Sequence, residues 1–252
     1  MTAAPLELIQ FPHSHYNEKV RWTLAWKGLP HTRRDLLPGP HAPTVLWLTG
    51  QTQTPVMRFG TEVVAGSARI IDELERRHPE PALLPADPAL RRRALEWQAW
   101  ADADVGPMVR RSLFAVLLDH PDYVVRIFAR ERRPTTQALY RAFFPVTRLV
   151  MSTSMGTRDA ASVAQGDAAT RAALDRVARE VGPSGHLAGD ALSLSDVAVA
   201  SLLAPAVRVE HPAMRLPDPM PDAVAAWYRR WESHPAAAWV QETYRRHRPA
   251  DA

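Results

Sequence analysis

The sequence contains no cysteine among its 252 residues. Disulfide bonds, thiolate nucleophiles and cysteine-based zinc sites are therefore excluded. No segment approaches the run of roughly 20 uncharged apolar residues that a transmembrane helix needs. The opening residues, MTAAPLELIQF, lack the basic stretch and apolar segment of a signal peptide. We therefore expect a cytoplasmic protein with no membrane partner.

Lysine is scarce, because Lys19 and Lys27 are the only two among 31 basic residues, and the net charge is +4. The arginines form short pairs and runs that alternate with Asp and Glu. A nucleic-acid-binding protein typically concentrates basic charge on one face, with aromatic residues between the charges. Solvated helix faces explain the arginine pairs better, so a DNA-binding helical protein is the least favoured hypothesis and no nucleic-acid partner is expected.

Strand and helix patterns alternate in the first part of the chain. Residues 6–11 resemble a buried strand, 17–27 a helix stopped by Gly28, and 31–37 a weak strand. A short helix is predicted near residues 42–48 and a hairpin at 55–65. Ser67 is predicted to cap the helix that follows the hairpin. This alternation predicts a small α/β unit with a mixed sheet.

Four prolines among residues 78–89 predict a linker between domains. The chain after it has helical periodicity throughout, with a break expected at Pro107 and a mobile polar loop at 155–166. The segment 192–207 is almost entirely apolar and is predicted to be a central buried helix, preceded by an S-x-x-D capping box at Ser193 and Asp196. We expect three parts, at residues 1–78, 79–89 and 90–252.

Three motifs in this order resemble soluble bacterial glutathione S-transferases of the serine type. They are SHYNEKVR at 14–21 with KGLP at 27–30, then QTPVM at 53–57 with GSARII at 66–71, and GDALSLSD at 189–196. The ending, with HPA at 234–236, is also similar. The resemblance implies an α/β thioredoxin-like N-terminal domain followed by an all-α helical domain. It further implies glutathione as co-substrate, no metal, a small electrophilic substrate and a homodimer.

Ser14 matches the position of the catalytic serine in the serine-type families. A helix N-terminus has free N–H groups and a partial positive charge, which stabilise a thiolate. A hydroxyl at this turn adds a hydrogen bond to the sulfur. Two other interpretations stay open: Ser14 only caps the helix, or Tyr16 activates the thiol instead. His13 and His15 lack a third ligand nearby, so they form a poor metal site.

The resemblance also assigns the glutathione-binding positions. Pro55 is expected to be cis, with the backbone of Thr54 pairing with glutathione as an added strand. The alternative is an ordinary trans proline that starts an edge strand. Ser67 would bind the γ-glutamyl carboxylate at a helix N-terminus, and Gln53 would contact the tripeptide. Gly66 departs from the family, which usually has Gln or an acidic residue there, so one side-chain contact is lost.

The acceptor pocket of the family lies between the domains. The predicted lining residues are Tyr16, Trp97, Trp100, Met108, Arg111 and Phe114, although apolar residues at helical spacing usually belong to the core. The aromatic-rich region 119–151, with Tyr123, Phe128, Tyr140, Phe143 and Phe144, is expected to cover a bulky acceptor.

The leading hypothesis is an enzyme that activates the glutathione thiol for attack on an electrophile or for an isomerisation. Without cysteine, thiol–disulfide exchange through a protein thiol is excluded. Two alternatives remain, a non-catalytic binding or interaction module and an enzyme that uses a different low-molecular-weight thiol. Dependence of catalysis on Ser14 separates the enzyme from the module, and a panel of thiols separates the two enzymes.

Overall fold

The computed structural model describes residues 5–250, which form four strands and eleven α-helices. The strands are β1 (Leu6–Gln10), β2 (Thr32–Asp35), β3 (Val56–Phe59) and β4 (Glu62–Ala65). They form one sheet in the order β2-β1-β3-β4. β1 and β2 are parallel, whereas β3 is antiparallel to both β1 and β4. The strand and helix pattern predicts this mixed sheet, and the resemblance implies the thioredoxin-like unit that it forms.

Three helices accompany the sheet: α1 (His15–Trp26), α2 (Ala42–Thr49) and α3 (Ser67–Arg77). α1 ends before Gly28, whose φ of 61° lies in the left-handed region that glycine adopts without strain. The prediction that Ser67 caps α3 is wrong. Gly66 occupies the cap position with φ 93°, and Ser67 is the first helical residue.

The remaining helices form the second, all-α part of the chain. They are α4 (Pro88–Trp100), α5 (Gly106–Leu117), α6 (Pro121–Ala129), α7 (Pro134–Met155), α8 (Ala160–Glu180), α9 (Leu194–Val207), α10 (Asp222–Arg229) and α11 (Pro235–His247). All but one residue of α9 are buried, so α9 is the central helix. The predicted capping box of Ser193 and Asp196 is present at its start.

The expected break at Pro107 does not occur. A π-helical turn over Ala101–Val105 joins α4 to α5, and the Gly106 N–H donates to the Ala101 carbonyl five residues earlier. Pro107 has no N–H to continue this pattern. The Asp102 carbonyl, which would accept the next bond, is therefore left for another donor.

The predicted mobile loop at 155–166 is wrong. α7 extends to Met155, and α8 begins at Ala160, capped by the Asp159 carboxylate. The segment is rich in small residues because α8 packs closely on α5. An added Cβ at Gly166 would lie 3.2 Å from the Met108 carbonyl oxygen. Small residues here indicate close helix packing rather than a loop.

The linker region is held by one of the two lysines. Lys27 is buried, its Nζ lies 2.7 Å from the Glu75 carboxylate, and it donates to the carbonyls of His78 and Pro81. Glu75 also accepts from the backbone N–H of Leu83. A proline-rich segment has few N–H donors, so buried side chains supply its hydrogen bonds.

Candidate functional site

Three segments of the N-terminal unit meet at one end of the sheet. The C-terminal end of β1 leads into Ser14 and α1, and the antiparallel β3 begins beside it after Thr54 and Pro55. β4 ends at the same side and leads into α3. The Asn17 Nδ2 donates to Thr54 Oγ1 at 3.3 Å, and the Gly66 N–H donates to the Pro55 carbonyl at 3.0 Å. The sheet topology therefore brings the predicted glutathione-binding positions together.

Ser14 stands at the start of α1 in an extended conformation, with φ −85° and ψ 128°. Its side chain makes no capping hydrogen bond, and its hydroxyl has no partner among residues 5–250. The interpretation of Ser14 as a helix cap is therefore not what the structure contains. The first-turn N–H groups of α1 and the Ser14 hydroxyl remain available to an external acceptor.

Glu18 is the one acidic residue in the first turn of α1, and its charge is compensated. It is fully buried and accepts from Arg21 Nε at 2.8 Å and from Arg248 Nε at 2.8 Å. Both arginines are also buried. Since two guanidinium groups neutralise this carboxylate, it does not cancel the positive end of the helix dipole.

The start of α3, like that of α1, has no side-chain cap. Gly66 gives no side-chain cap, and the first turn of α3 contains no acidic residue. Ser67 is buried to 6 % exposure, directly at this end. The uncapped N–H groups and the hydroxyl form a suitable contact for a carboxylate. The Thr54–Pro55 bond is cis, as predicted, and the Thr54 N–H and carbonyl make no hydrogen bond within the described residues.

The loop before Thr54 is held by two residues that the sequence analysis did not identify. The Gly39 N–H donates to His41 Nδ1 at 3.1 Å, so the ring proton is on Nε2, which donates to the Thr52 carbonyl at 2.9 Å. Burial lowers the pKa of His41, which favours this neutral form. Gln51 accepts from the Gln53 N–H through its side chain. Gln53 itself is exposed. No sequence motif signals this arrangement.

Tyr16 supplies the donor that the π-helical turn lacks. Its hydroxyl donates to the Asp102 carbonyl at 2.6 Å, and burial raises its pKa to about 12. His15 is fully buried and donates from Nε2 to the Gly106 carbonyl at 3.1 Å. Burial lowers the pKa of His15 to about 3, so the ring is neutral at pH 7. Both side chains therefore join α1 to the helical half of the molecule.

Lys19 strengthens the same junction. Its buried Nζ lies 2.6 Å from Asp102 Oδ1 and 2.7 Å from Oδ2, and the Asp102 side chain is 23 % exposed. Burial lowers the pKa of Lys19, whereas the Asp102 charge opposes that shift. Tyr16 and Lys19 thus bind Asp102 of the π-helical turn, and His15 binds Gly106 just after it. This junction fixes the start of α1 relative to α5.

Four of the predicted acceptor-pocket residues make contacts within the helical half. Trp97 and Trp100 pack on the Arg176 guanidinium, which lies 4.3 Å from each ring centroid. Arg111 donates to the Met155 carbonyl at 2.9 Å and contacts the sulfur of Met108. These four residues contact other helices of the second half. Among the described contacts, none brings them to Ser14.

An apolar cavity lies beside the start of α1 instead. It has a volume of about 40 Å³ and is lined by His13, Phe114, Phe128, Ala204, Met214 and Tyr228, among others. Of the predicted residues, Phe114 and Phe128 line it. The buried His13 Nδ1 has no partner among residues 5–250, and burial lowers the pKa of His13 to about 4. The cavity thus presents a neutral imidazole within a largely apolar lining that also includes Arg208.

A larger groove of about 830 Å³ lies between α5 and α7. Its lining includes Phe144, Leu149 and the ion-paired Arg141 and Arg148. The lining residues do not include Ser14, Thr54 or Ser67. Volume alone therefore does not identify the site, because the uncapped helix starts at Ser14 and Ser67 lie at the sheet end and not in this groove.

Residues 5–250 lack the features of two other kinds of site. No helix there is long and apolar enough to cross a membrane. No group of three or more potential metal ligands lies close together there either.

Two family profiles match this chain. Residues 8–82 match the N-terminal domain of glutathione S-transferase, and residues 160–230 match its C-terminal domain. The chain is 39 % identical over 97 residues to glutathione S-transferase 1 of Dianthus caryophyllus, covering 37 % of this chain and 43 % of that protein. It is 32 % identical over 121 residues to maleylacetoacetate isomerase of Pseudomonas aeruginosa, covering 44 % and 56 % respectively. The matches therefore span about half the length of these curated relatives.

The fold is shared over almost the whole chain. The crystal structure of the beta-etherase LigF from Sphingobium sp. strain SYK-6 superposes with a TM-score of 0.64 at 19 % identity. The superposition covers 94 % of this chain and 99 % of that one. At 19 % identity, this similarity establishes the fold alone.

Proposed function

Because the chain belongs to the glutathione S-transferase family, we propose that it is a glutathione-dependent enzyme of the serine type. The observation that carries the proposal is the Ser14 hydroxyl, which lies without a partner at the uncapped start of α1. Thr54 and Ser67 border the same end of the sheet. We assign thiol binding to residues 1–78, the linker to 79–89 and the acceptor side to 90–252.

In the proposed complex, the thiol sulfur lies at the start of α1. The Ser14 hydroxyl donates a hydrogen bond to the thiolate, and the helix end stabilises its charge. The thiol proton leaves to solvent. The sulfur then attacks an electrophilic carbon and the leaving group departs with its electron pair. In an isomerisation, the sulfur adds to a double bond and is expelled after rotation about the resulting single bond.

Three further contacts would hold the tripeptide. The free N–H and carbonyl of Thr54 pair with its cysteinyl backbone, and the start of α3 with Ser67 receives the γ-glutamyl carboxylate. Gln53 is exposed at the rim and contacts the remaining backbone. Gly66 offers no side chain, so its contact is through the backbone alone. No metal takes part in this proposal.

An isomerase activity is the second candidate, and a specific similarity favours it. The matched Pseudomonas aeruginosa relative is a maleylacetoacetate isomerase, and a matched Ralstonia relative is a maleylpyruvate isomerase. Both names describe a rearrangement about a double bond. The two candidates share the thiol site and differ only in the acceptor.

We also propose a homodimer that covers the exposed apolar face of α7. Leu139, Phe143, Val146, Leu149 and Val150 are all more than half exposed on this helix. A patch of this kind on a folded protein marks an interaction surface. The two charged residues of α7, Arg141 and Arg148, already pair with Asp122 and Asp119. An uncharged face suits a second copy of the same face.

The proposal is tested by titrating the thiol of bound glutathione through its thiolate absorbance. We expect the thiol pKa to fall by at least about one unit below its free value of about 8.5. Ser14→Ala should reverse most of that shift and lower kcat/KM with chlorodinitrobenzene by about 10²–10³, as for loss of one anion-stabilising donor. Its folding stability should be unchanged, because the hydroxyl has no partner.

Ser233→Ala is the matched control, since Ser233 is exposed in the turn between α10 and α11. A non-catalytic binding module would be favoured if glutathione binds without a fall in its thiol pKa and Ser14→Ala leaves that binding unchanged. If the protein does not bind glutathione but binds another thiol from a panel, an enzyme that uses that thiol would be favoured. Either result would overturn the proposal as stated.

A further inference from the structure

The buried face of α7 packs on the loop between β2 and α2. Four residues at helical spacing form this face: Tyr140, Phe144, Thr147 and Met151. The Tyr140 hydroxyl donates to the Pro38 carbonyl at 3.1 Å, and this hydrogen bond is buried. Gly39 has a φ of 95°, and a Cβ added there would lie 2.8 Å from Thr147 Oγ1. A helix of the second half thus contacts the loop backbone of the N-terminal unit directly.

A second contact holds the other end of this loop. The Arg132 guanidinium, just before α7, donates to the carbonyl of Asp35, where β2 ends. Burial raises the pKa of Tyr140, so its phenol is protonated at pH 7 and donates to the Pro38 carbonyl. Pro38 is itself buried. A buried carbonyl that loses its donor is costly, so the loop would have to move towards water to satisfy it.

The loop and the helix that follows it have little attachment of their own. α2 lies wholly within the described residues, and only Val45 of its eight residues is buried. Val45 packs in a small cluster with Ile9 and Val56, separate from the main core. Leu46 and Trp47 of the same helix are exposed. A segment with few buried apolar contacts opens locally at a low free energy. The two hydrogen bonds from Tyr140 and Arg132 therefore supply much of the attachment of this segment.

The same loop holds the backbone that leads into Thr54. The Gly39 N–H donates to His41 Nδ1 at 3.1 Å, and His41 Nε2 donates to the Thr52 carbonyl at 2.9 Å. The His41 ring also packs edge-on against Phe11, with 4.7 Å between the ring centroids. A shift of the loop therefore moves the His41 ring and releases the Thr52 carbonyl, two residues before Thr54.

We propose that Tyr140 is a positioning residue for glutathione, because it holds the β2–α2 loop and thereby fixes the Thr54 backbone that pairs with the tripeptide. This inference rests on the proposed function, since it assumes that glutathione binds at Thr54. The thiol site is then not self-contained in residues 1–78, because its affinity depends on a helix of the other half. Ser14 and the start of α1 do not contact the loop through Tyr140, so thiol activation does not depend on it.

The test compares two buried tyrosines that each lose one hydroxyl. Tyr140→Phe removes the donor to Pro38, whereas Tyr123→Phe removes a buried hydroxyl of α6 that has no hydrogen-bond partner among residues 5–250. Calorimetric titration gives the glutathione affinity of each variant, and the thiolate absorbance gives the pKa of the bound thiol. Assays with chlorodinitrobenzene give kcat and the KM for glutathione.

A second pair of variants removes the contact at the other end of the loop. Arg132→Gln removes the donor to the Asp35 carbonyl. Arg133→Gln is its control, because Arg133 is an exposed neighbour and its loss changes the net charge equally.

We expect Tyr140→Phe to raise the Kd and the KM for glutathione about fivefold, as for the loss of one neutral hydrogen bond, because binding must then restore the loop. The pKa of the bound thiol should be unchanged, and kcat should stay within about twofold. Arg132→Gln should also raise the Kd, whereas Tyr123→Phe and Arg133→Gln should leave it unchanged.

Hydrogen exchange reports the loop directly. Without ligand, the backbone amides of residues 39–53 should exchange about fivefold faster in Tyr140→Phe than in the wild type, and at the wild-type rate in Tyr123→Phe.

An unchanged glutathione affinity in folded Tyr140→Phe would overturn the inference. So would an equal loss of affinity in Tyr123→Phe, or a fall of kcat as large as the fall of affinity. If the wild type does not bind glutathione, the proposed function fails and the inference fails with it. If the wild type binds glutathione and lowers its thiol pKa, but Tyr140→Phe binds it equally well, the inference alone fails. Arg132→Gln against Arg133→Gln decides by the same criteria if Tyr140→Phe does not fold.

Discussion

α1 and α7 reverse the usual relation between sequence and burial. The sequence of α1, HYNEKVRWTLAW, is half polar, yet its residues from Asn17 to Leu24 are all buried. The sequence of α7 is largely apolar, yet five of its large apolar side chains are more than half exposed. The difference lies in what surrounds each helix. α1 is enclosed by the sheet, by α9 and by the C-terminal end of the chain, whereas α7 buries only one narrow face.

The comparison shows how a polar helix can be buried. Each buried charge of α1 has a specific partner, with Glu18 between two arginines and Lys19 on Asp102. These partners join α1 to the helical half and to the C-terminal helix, while the Ser14 side chain at the helix start makes no capping hydrogen bond. The two arginines of α7 form ion pairs only at exposed positions, and its exposed apolar face is suited to association.

The largest expected effect comes from breaking the buried charge network of α1. Glu18→Ala leaves Arg21 and Arg248 buried without their shared carboxylate, which should lower the free energy of unfolding by about 3–5 kcal/mol. Urea denaturation measures it. Glu180→Ala is the control, because Glu180 pairs with Arg176 on the surface of α8 and should cost at most about 1 kcal/mol. An equal loss of unfolding free energy in the two variants would show that burial of the charge network contributes nothing to stability.

Two neighbouring residues test the difference between the buried face and the exposed face of α7. Phe144 is 2 % exposed and Phe143 is 57 % exposed. Phe144→Ala should lower the free energy of unfolding by about 3 kcal/mol through cavity formation, and Phe143→Ala by at most about 0.5 kcal/mol in the monomer. Light scattering of the same samples reports association. A dimer that persists with full affinity in Phe143→Ser would exclude this face from the interface.

The smallest effect concerns pH. Burial lowers the pKa of folded His15 to about 3, against 6.5 in the unfolded chain. Between these values the unfolded chain binds more protons, so stability is full above pH 6.5 and falls with decreasing pH. The slope from one such histidine is about 1.4 kcal/mol per pH unit, and His13 acts in the same direction with its pKa of about 4.

His15→Gln keeps a donor for the Gly106 carbonyl but removes the titrating group. The fall of unfolding free energy between pH 6 and about 4 should therefore become shallower by about 1.4 kcal/mol per pH unit. His120→Gln serves as the control, because His120 is only partly buried at the start of α6. An unchanged slope in His15→Gln would mean that His15 is already protonated in the folded protein.

The sequence was sufficient to predict those features that depend on residues close together along the chain. The strand and helix order, the capping box at Ser193 and the approach of Ser14, Thr54 and Ser67 follow from short-range patterns and from the family resemblance. Contacts between distant segments were not predictable. Trp100, Met108 and Arg111 were expected near the acceptor, but they pack on α7 and α8. Apolar periodicity identifies a buried face without identifying its neighbour.

The sequence by itself determined that no cysteine chemistry operates, that a mixed sheet precedes a helical half, and that a serine opens α1. These properties depend on residue identity and on nearest neighbours along the chain. Only the tertiary structure decided that the Ser14 hydroxyl has no hydrogen-bond partner among residues 5–250 and that Tyr16 serves the π-helical turn. Hydrogen bonds and ion pairs form between whichever groups the fold brings together, and those groups here are separated by tens of residues.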